Sequence, residues 1–273
     1  MSSFQGKNIL ITGASSGIGE ALAREFSEQG ANLVLMARRK EKLETIRSEI
    51  QTLNPQIKIT LAVADVSQDE SFRTALLEAI QEVGTLDVVV ANAGFGVSGE
   101  VLKLSLEDYR RQFETNLMGV LRTIHGTAES LKKSRGRLAI VGSVNGYVSL
   151  PGISAYAMSK FAVRALCDAL YHELKPFGVS VTHIAPGFVV SEIRKVNNRG
   201  ELKTGARDPI PLWLQMKSAI AAQKIAKAIY RRKKERIVTG HGWWIVRLYR
   251  FLPGVVCFLI GIFKIKARAE PKG

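Results

Sequence analysis

The run Lys7-Asn-Ile-Leu-Ile-Thr12, passing at once into Gly13-Ala-Ser-Ser-Gly17-Ile-Gly19, constrains the fold of this chain more than any other stretch. The first part reads as a short buried strand. After the glycines, residues 20–29 carry Leu22, Ala23 and Phe26 at the spacing of one helix face, and Gly30 ends that helix. Strand, glycine turn and helix make half of a β-α-β unit. In such a unit a pyrophosphate can lie on the helix N-terminus, because bare glycines let the backbone approach it. The spacing Gly-x-x-x-Gly-x-Gly differs from the Gly-x-Gly-x-x-Gly of most dinucleotide folds. By itself the turn is equally compatible with a tight turn that binds nothing.

The remaining chain alternates in the same rhythm. Residues 57–63, 86–90, 137–141 and 179–185 read as strands rich in β-branched residues, separated by helical patterns at 68–83, 105–131 and 155–175. Strands alternating with helices imply an α/β fold, a single doubly wound Rossmann-type parallel sheet with helices on both faces. With 273 residues and 46% apolar content the chain can bury one domain well. No repeat, low-complexity tract or linker divides it. Only 188–217, with Gly200, Gly205, Pro209 and Pro211, breaks the rhythm.

The second strand, 31–37, bears on the nucleotide. An acid at its end would bond the ribose 2′-hydroxyl of NAD, but none stands there. Arg38 and Arg39 follow Ala37, with Lys42 in the next helix, so cations occupy the place of a 2′-phosphate and favour NADP(H) over NAD(H). The alternative is a solvated basic helix start.

Further along, Tyr156-Ala-Met-Ser-Lys160 joins a potential acid to its activator. A phenol titrates near pH 10, about three units too high for ready proton exchange at neutral pH, so it needs a neighbouring cation. Residues four apart share a helix face, which directs Lys160 and Tyr156 into one cleft. Ser143, just beyond the strand 137–141, can reach the same cleft. Taken alone, the pair could be a chance surface feature.

Assembled in order, these motifs resemble the short-chain dehydrogenase/reductase family over residues 5 to 240. The matching residues are Thr12-Gly-Ala-Ser-Ser-Gly-Ile-Gly19, Asp65-Val66, Ala91-Asn-Ala-Gly94, Asn116, Ser143, Tyr156-x-x-x-Lys160 and Pro186-Gly187. The resemblance implies a tetrad of Asn116, Ser143, Tyr156 and Lys160 acting on a carbonyl or alcohol. Tyr156 would donate the proton, Ser143 would help stabilise the developing oxyanion, Lys160 would lower the phenol pKa and bond the nicotinamide ribose, and Asn116 would hold a water. It further implies Gly13, Ser15, Ser16, Gly17, Ile18 and Gly19 around the phosphates, with Arg38 on the 2′-phosphate. Asp65 and Val66 would flank the adenine, and Asn92, Ala93 and Gly94 the adenosine ribose. The loop after Pro186 and Gly187 would cover the nicotinamide through Val189 and Ser191. Ser191 stands where many members have Thr, and Ala91 where many have Asn. Residues 188–217 resemble the family's substrate insertion, expected as a mobile lid, and members often form homodimers or homotetramers through the helices carrying Asn116 and Tyr156.

Cys167 and Cys257 lie far apart in unlike contexts, which argues against a disulfide framework and for a reduced, cytoplasmic setting. His125, His172, His183 and His241 lack metal-ligand spacing and fall outside the motifs, so no metal site is expected and the four read as structural. The first strand starts too early to leave room for a cleavable signal peptide.

Residues 231–273 hold eleven Lys or Arg against two acids, a net of +9 within the chain's +15. A seventh strand is expected at 236–240, and the segment 241–273 reads as an apolar and basic extension beyond the catalytic domain 1–240. In it, Trp243-Trp244 and Tyr249 stand beside Arg247 and Arg250, an apolar run reaches Phe263, and Lys264, Lys266, Arg268 and Lys272 follow. The uncharged run 251–263 is shorter than the roughly 20 residues a spanning helix needs and contains Pro253-Gly254. An interfacial or re-entrant anchor on an anionic membrane fits better, against packing on the same chain or an oligomer interface. Nucleic acid is not expected, since the cations bracket apolar residues instead of forming a polar stripe. A membrane site points to a hydrophobic ketone such as a sterol, retinoid or long-chain ketone. Asp65-Val-Ser-Gln-Asp69, Ser159-Lys-Phe-Ala-Val-Arg164 and Glu173-Leu-Lys-Pro176 add a resemblance to 3-ketodihydrosphingosine reductases. The alternatives are a steroid or retinoid enzyme, a general carbonyl reductase, or an NADP(H)-binding regulator or scaffold without turnover.

Overall fold

The computed structural model describes residues 3–203, 205 and 208–262. The basic cluster expected at 264–272, with Phe263, lies outside them. Seven parallel strands, β1 (Asn8–Thr12), β2 (Asn32–Ala37), β3 (Ile59–Val63), β4 (Val88–Ala91), β5 (Arg137–Val141), β6 (Ser180–Ala185) and β7 (Glu235–Ile237), form one sheet in the order β3-β2-β1-β4-β5-β6-β7. Helices α1 (Gly17–Glu28), α2 (Lys40–Leu53), α3 (Asp69–Val83), α4 (Leu106–Phe113), α5 (Gly119–Ser134), α6 (Ser154–Glu173) and α7 (Ser218–Tyr230) connect the strands. The chain ends in α8 (Gly240–Phe251) and α9 (Pro253–Ile262).

The central strands β1, β2, β4 and β5 are almost wholly apolar because both sheet faces are covered there. Successive side chains point to opposite faces, so Ile9, Ile11, Leu33, Leu35, Val88 and Val90 meet α1, α2 and α7 on one side. Leu10, Val34, Met36, Val89, Leu138 and Ile140 meet α3, α5 and α6 on the other. Phe26, Leu43 and Ile225 seal the first core, and Phe72, Leu76 and Val163 the second. This is the doubly wound architecture the alternation implies. The strand order reverses between β1 and β4, and that switch point opens a crevice at the carboxyl ends of the strands.

Two elements differ from expectation. The helix expected across 105–131 is three pieces: α4, a π-helical turn at Glu114–Met118, and α5. The seventh strand, expected at 236–240, is Glu235–Ile237, because Gly240 already opens a helix whose Trp243 N–H bonds the Thr239 carbonyl. Helix α8 buries Gly242 and Val246, the latter against Val144, Tyr147, Val148 and Ala185. The first turns beyond residue 240 therefore pack on the body. Among the described residues no single helix is long and apolar enough to cross a membrane; α8 and α9 are so only together, and they are bent by 115°.

Candidate active site

At the switch point the glycine turn is riveted to the loop after β4. The Thr12 hydroxyl accepts the Asn92 and Ala93 N–H groups at 3.0 and 3.1 Å, while the Asn92 amide donates to the carbonyls of Thr12 and Gly13 at 2.9 and 3.2 Å. Gly13 and Gly17 have φ of +66° and +58°, which favour glycine. Gly19 is needed for contact: a Cβ there would lie 2.2 Å from the Gly13 carbonyl oxygen. Ser16 does not cap α1 with its side chain, so the first-turn amides stay open to an anion. Ile18 packs against the core beneath the turn.

These features fit the pyrophosphate of a dinucleotide, and the surroundings fit its adenosine end. Arg39 donates to the Ser15 hydroxyl at 3.2 Å and to Glu192 at 2.9 Å, so its guanidinium sits on the turn's flank. Arg38 is more exposed, 3.4 Å from the Asp65 carboxylate and from the Gly200 carbonyl. Lys42 is exposed on α2. Asp65 closes its own turn by accepting the Ser67 N–H and hydroxyl, and Val66 is buried against Gly119. Of the three cations, Arg39 stands in direct contact with the glycine turn.

The other wing comes from β5 and α6. Lys160, 4% exposed, donates from Nζ to the Val141 carbonyl at 2.9 Å, and Nζ lies 5.7 Å from the centre of the Tyr156 ring. Burial pushes the Lys160 ammonium down to about 8. Tyr156 is partly exposed, and Gly96 borders its ring, where a Cβ would make ordinary contact at 3.6 Å. Burial raises the phenol pKa, while a hydrogen bond with Ser143 and the charge of Arg194 oppose that rise. Ser143 accepts the Asn145 N–H at 3.1 Å, which leaves its own hydroxyl proton to donate. Ser143, Tyr156 and Lys160 thus converge on one side of the crevice.

Asn116 enters through the π-helical turn, a distortion common at functional sites. Its amide accepts the Phe95 N–H at 3.0 Å and donates to the Phe95 carbonyl and to the Ser159 hydroxyl. One helical turn earlier, buried Gln112 does the same for Val97 N–H and Phe95 O. Two amides four apart therefore satisfy an extended segment that lacks a strand partner. Gln112 was invisible to motif reading; the i,i+4 amide pair with Asn116 is the signal that could have found it. Gly94 lies between, where a Cβ would meet Asn116 Oδ1 at 3.0 Å and Lys160 Nζ at 3.8 Å.

Described residues of 188–217 reach both wings of the crevice. Asn198 exchanges two hydrogen bonds with the Ser98 backbone, and Arg194 grips Asp208 through Nε and Nη2 at 2.7–2.9 Å. Ser191 crosses to the glycine turn, its Cβ 3.0 Å from where a Gly17 Cβ would stand. Pro186 accepts the Val144 N–H at 2.9 Å, Gly187 abuts Thr239 and His241, and Val189 bridges to Met216. Behind the site, His183 Nδ1 lies 3.0 Å from the Tyr147 hydroxyl, which also bonds Glu235; burial pushes His183 down to about 4.

Comparison with known proteins identifies the family and the fold. The chain is 32% identical over 276 residues to 11-beta-hydroxysteroid dehydrogenase A of Sesamum indicum, covering 98% of this chain and 78% of that one. Its structure superposes on the alcohol dehydrogenase of Thermococcus sibiricus solved with 5-hydroxy-NADP, with a TM-score of 0.73, 29% identity and coverage of 85% and 96%. A short chain dehydrogenase/reductase of Burkholderia phymatum in complex with NAD shares the fold over the full length of both chains, with a TM-score of 0.81 and 23% identity. Residues 7–202 match the short chain dehydrogenase family model, and the chain belongs to that family of nicotinamide-dependent oxidoreductases.

Proposed function

We propose that the protein is an NADP(H)-dependent reductase of a hydrophobic ketone, or oxidises the matching secondary alcohol, at a membrane face. The observation that carries the chemistry is the convergence of Ser143, Tyr156 and Lys160 beside the glycine turn. A bound nicotinamide supplies the hydride, and the residues of the chain manage the oxygen and its proton. The Tyr156 phenol and Ser143 hydroxyl are preplaced donors for the oxygen on which charge develops, and Tyr156 transfers its proton there. Lys160, held by the Val141 carbonyl, keeps a cation near the phenol and the ribose. Asn116 serves this arrangement by fixing the Phe95 backbone and Ser159.

Preference for NADP(H) is supported by Arg38, Arg39 and Ser15 and by the absence of an acid at the end of β2. Replacing both Arg38 and Arg39 by Ala should weaken NADPH binding ~10–100-fold, the scale of lost charge-assisted hydrogen bonds. NADH should change little, and equal losses in a fluorescence titration of the two would sink the 2′-phosphate assignment.

The membrane reading is supported by α8 and α9, which leave Trp244, Phe251 and Phe258 largely exposed beside Arg247 and Arg250. The lid adds Leu212 and Trp213, both at least 80% exposed. The sesame steroid dehydrogenase relative supports a lipid-like substrate. Replacing Trp244, Phe251 and Phe258 by Glu should abolish co-sedimentation with anionic vesicles, because each change removes apolar contact area and adds a like charge. Equal sedimentation of parent and variant would refute the anchor.

A further inference from the structure

Helix α8 reaches the site through its second residue. His241 Nε2 accepts the Phe188 N–H at 3.1 Å, and the imidazole stacks on the Phe188 ring with centroids 5.3 Å apart and planes 25° from parallel. The Thr239 hydroxyl lies 3.3 Å from the same nitrogen. An Nε2 that accepts carries its proton on Nδ1, so the neutral ring has one defined tautomer here. The fit is tight on the loop side, where a Cβ on Gly187 would come within 2.6 Å of Nε2 and 2.3 Å of the Thr239 hydroxyl oxygen.

Phe188 stands at the centre of the loop that links the two wings of the site. Two residues earlier, Pro186 holds the Val144 N–H beside Ser143; the Phe188 carbonyl itself accepts the Met216 N–H at 2.9 Å. Three residues later, Ser191 meets Gly17 across the crevice. Fixing the Phe188 amide therefore fixes the path of the backbone from the catalytic wing to the glycine turn. In sequence His241 reads as structural, since it lacks metal-ligand spacing and falls outside the motifs, and its partner Phe188 stands 53 residues earlier.

We propose that His241 is a positioning residue, a clamp by which the C-terminal helices hold the 186–191 loop over the nicotinamide end of the cofactor. The inference rests on the cofactor reading above, and it makes the C-terminal extension part of the active-site scaffold.

The test uses the full chain with His241→Ala, His241→Met and His241→Gln, titrated with NADPH and with adenosine 2′,5′-bisphosphate, which has no nicotinamide. Loss of one neutral hydrogen bond should weaken NADPH ~3–10-fold in the Ala and Met variants. Adenosine 2′,5′-bisphosphate should bind as in the parent, and Gln, whose side-chain carbonyl can accept the Phe188 N–H, should restore NADPH affinity. The Met and Gln pair carries the test if Ala fails to fold. Equal affinities for both nucleotides in every variant, with only the melting temperature lowered, would assign His241 a purely structural role and overturn the clamp. So would a parallel loss of both nucleotides. A parent that binds the bisphosphate but not NADPH overturns the cofactor reading and the clamp together.

Discussion

Replacing Tyr156 by Phe is expected to lower turnover ~10²–10⁴-fold, the usual contribution of a positioned general acid, while nucleotide binding and the melting temperature stay near those of the parent. The substitution removes one oxygen from a partly exposed ring and leaves the packing of Gly96 on that ring intact. What disappears is the proton and the hydrogen bond with Ser143. Burial raises the phenol pKa above its ordinary value, with Ser143 and Arg194 pulling against it, so at neutral pH the side chain is protonated and poised to donate. That state suits reduction of a ketone. Steady-state assays with NADPH and a panel of hydrophobic ketones check the expectation. A Phe variant as fast as the parent would remove Tyr156 from the chemistry, and a parent that binds NADPH without turning over any ketone would favour a nucleotide-binding regulator.

The parts of this molecule that were legible in the sequence are those set by short-range pattern. Ile9, Leu10 and Ile11 announce a strand buried on both faces, and Gly13, Gly17 and Gly19 announce the turn because their left-handed angles or close contacts favour glycine. Tyr156 and Lys160 announce themselves by helical spacing. The break at Glu114–Met118 is not legible, because apolar periodicity runs through it; the contacts that accompany it, from the amides of Gln112 and Asn116 to the Phe95–Val97 backbone, are made only on folding. The end of β7 was lost for a similar reason, since Val238 still bonds Ala185 in extended form before the chain turns into α8. His241 and Arg194 act on the site only through contacts made by folding, across distances no local pattern encodes.

Lys160 should show opposite consequences for function and for the pH dependence of stability. Its ammonium is almost fully buried with the Val141 carbonyl as its hydrogen-bond acceptor, and burial holds its pKa at about 8 against 10.5 in the unfolded chain. Between those values the folded protein binds fewer protons at this site than the unfolded one, so its contribution makes stability rise with pH, and that contribution is lost as pH falls through 8. Cys167, pushed up to about 12 by burial, works in the opposite sense above pH 9 and is common to parent and variant. Lys160→Met keeps most of the apolar stem and removes the charge. In thermal unfolding of the nucleotide-free protein, the difference in melting temperature between parent and variant should therefore shift in the parent's favour from pH 8 to 10.5. Turnover should fall by at least ~10²-fold, since the cation that assists the phenol is gone. In the parent, reductase activity should decline as pH rises through about 8, where Lys160 loses its proton. A constant difference in melting temperature across that window would show that another group titrates there, and a Met variant with parental turnover would show that Tyr156 needs no cation from Lys160.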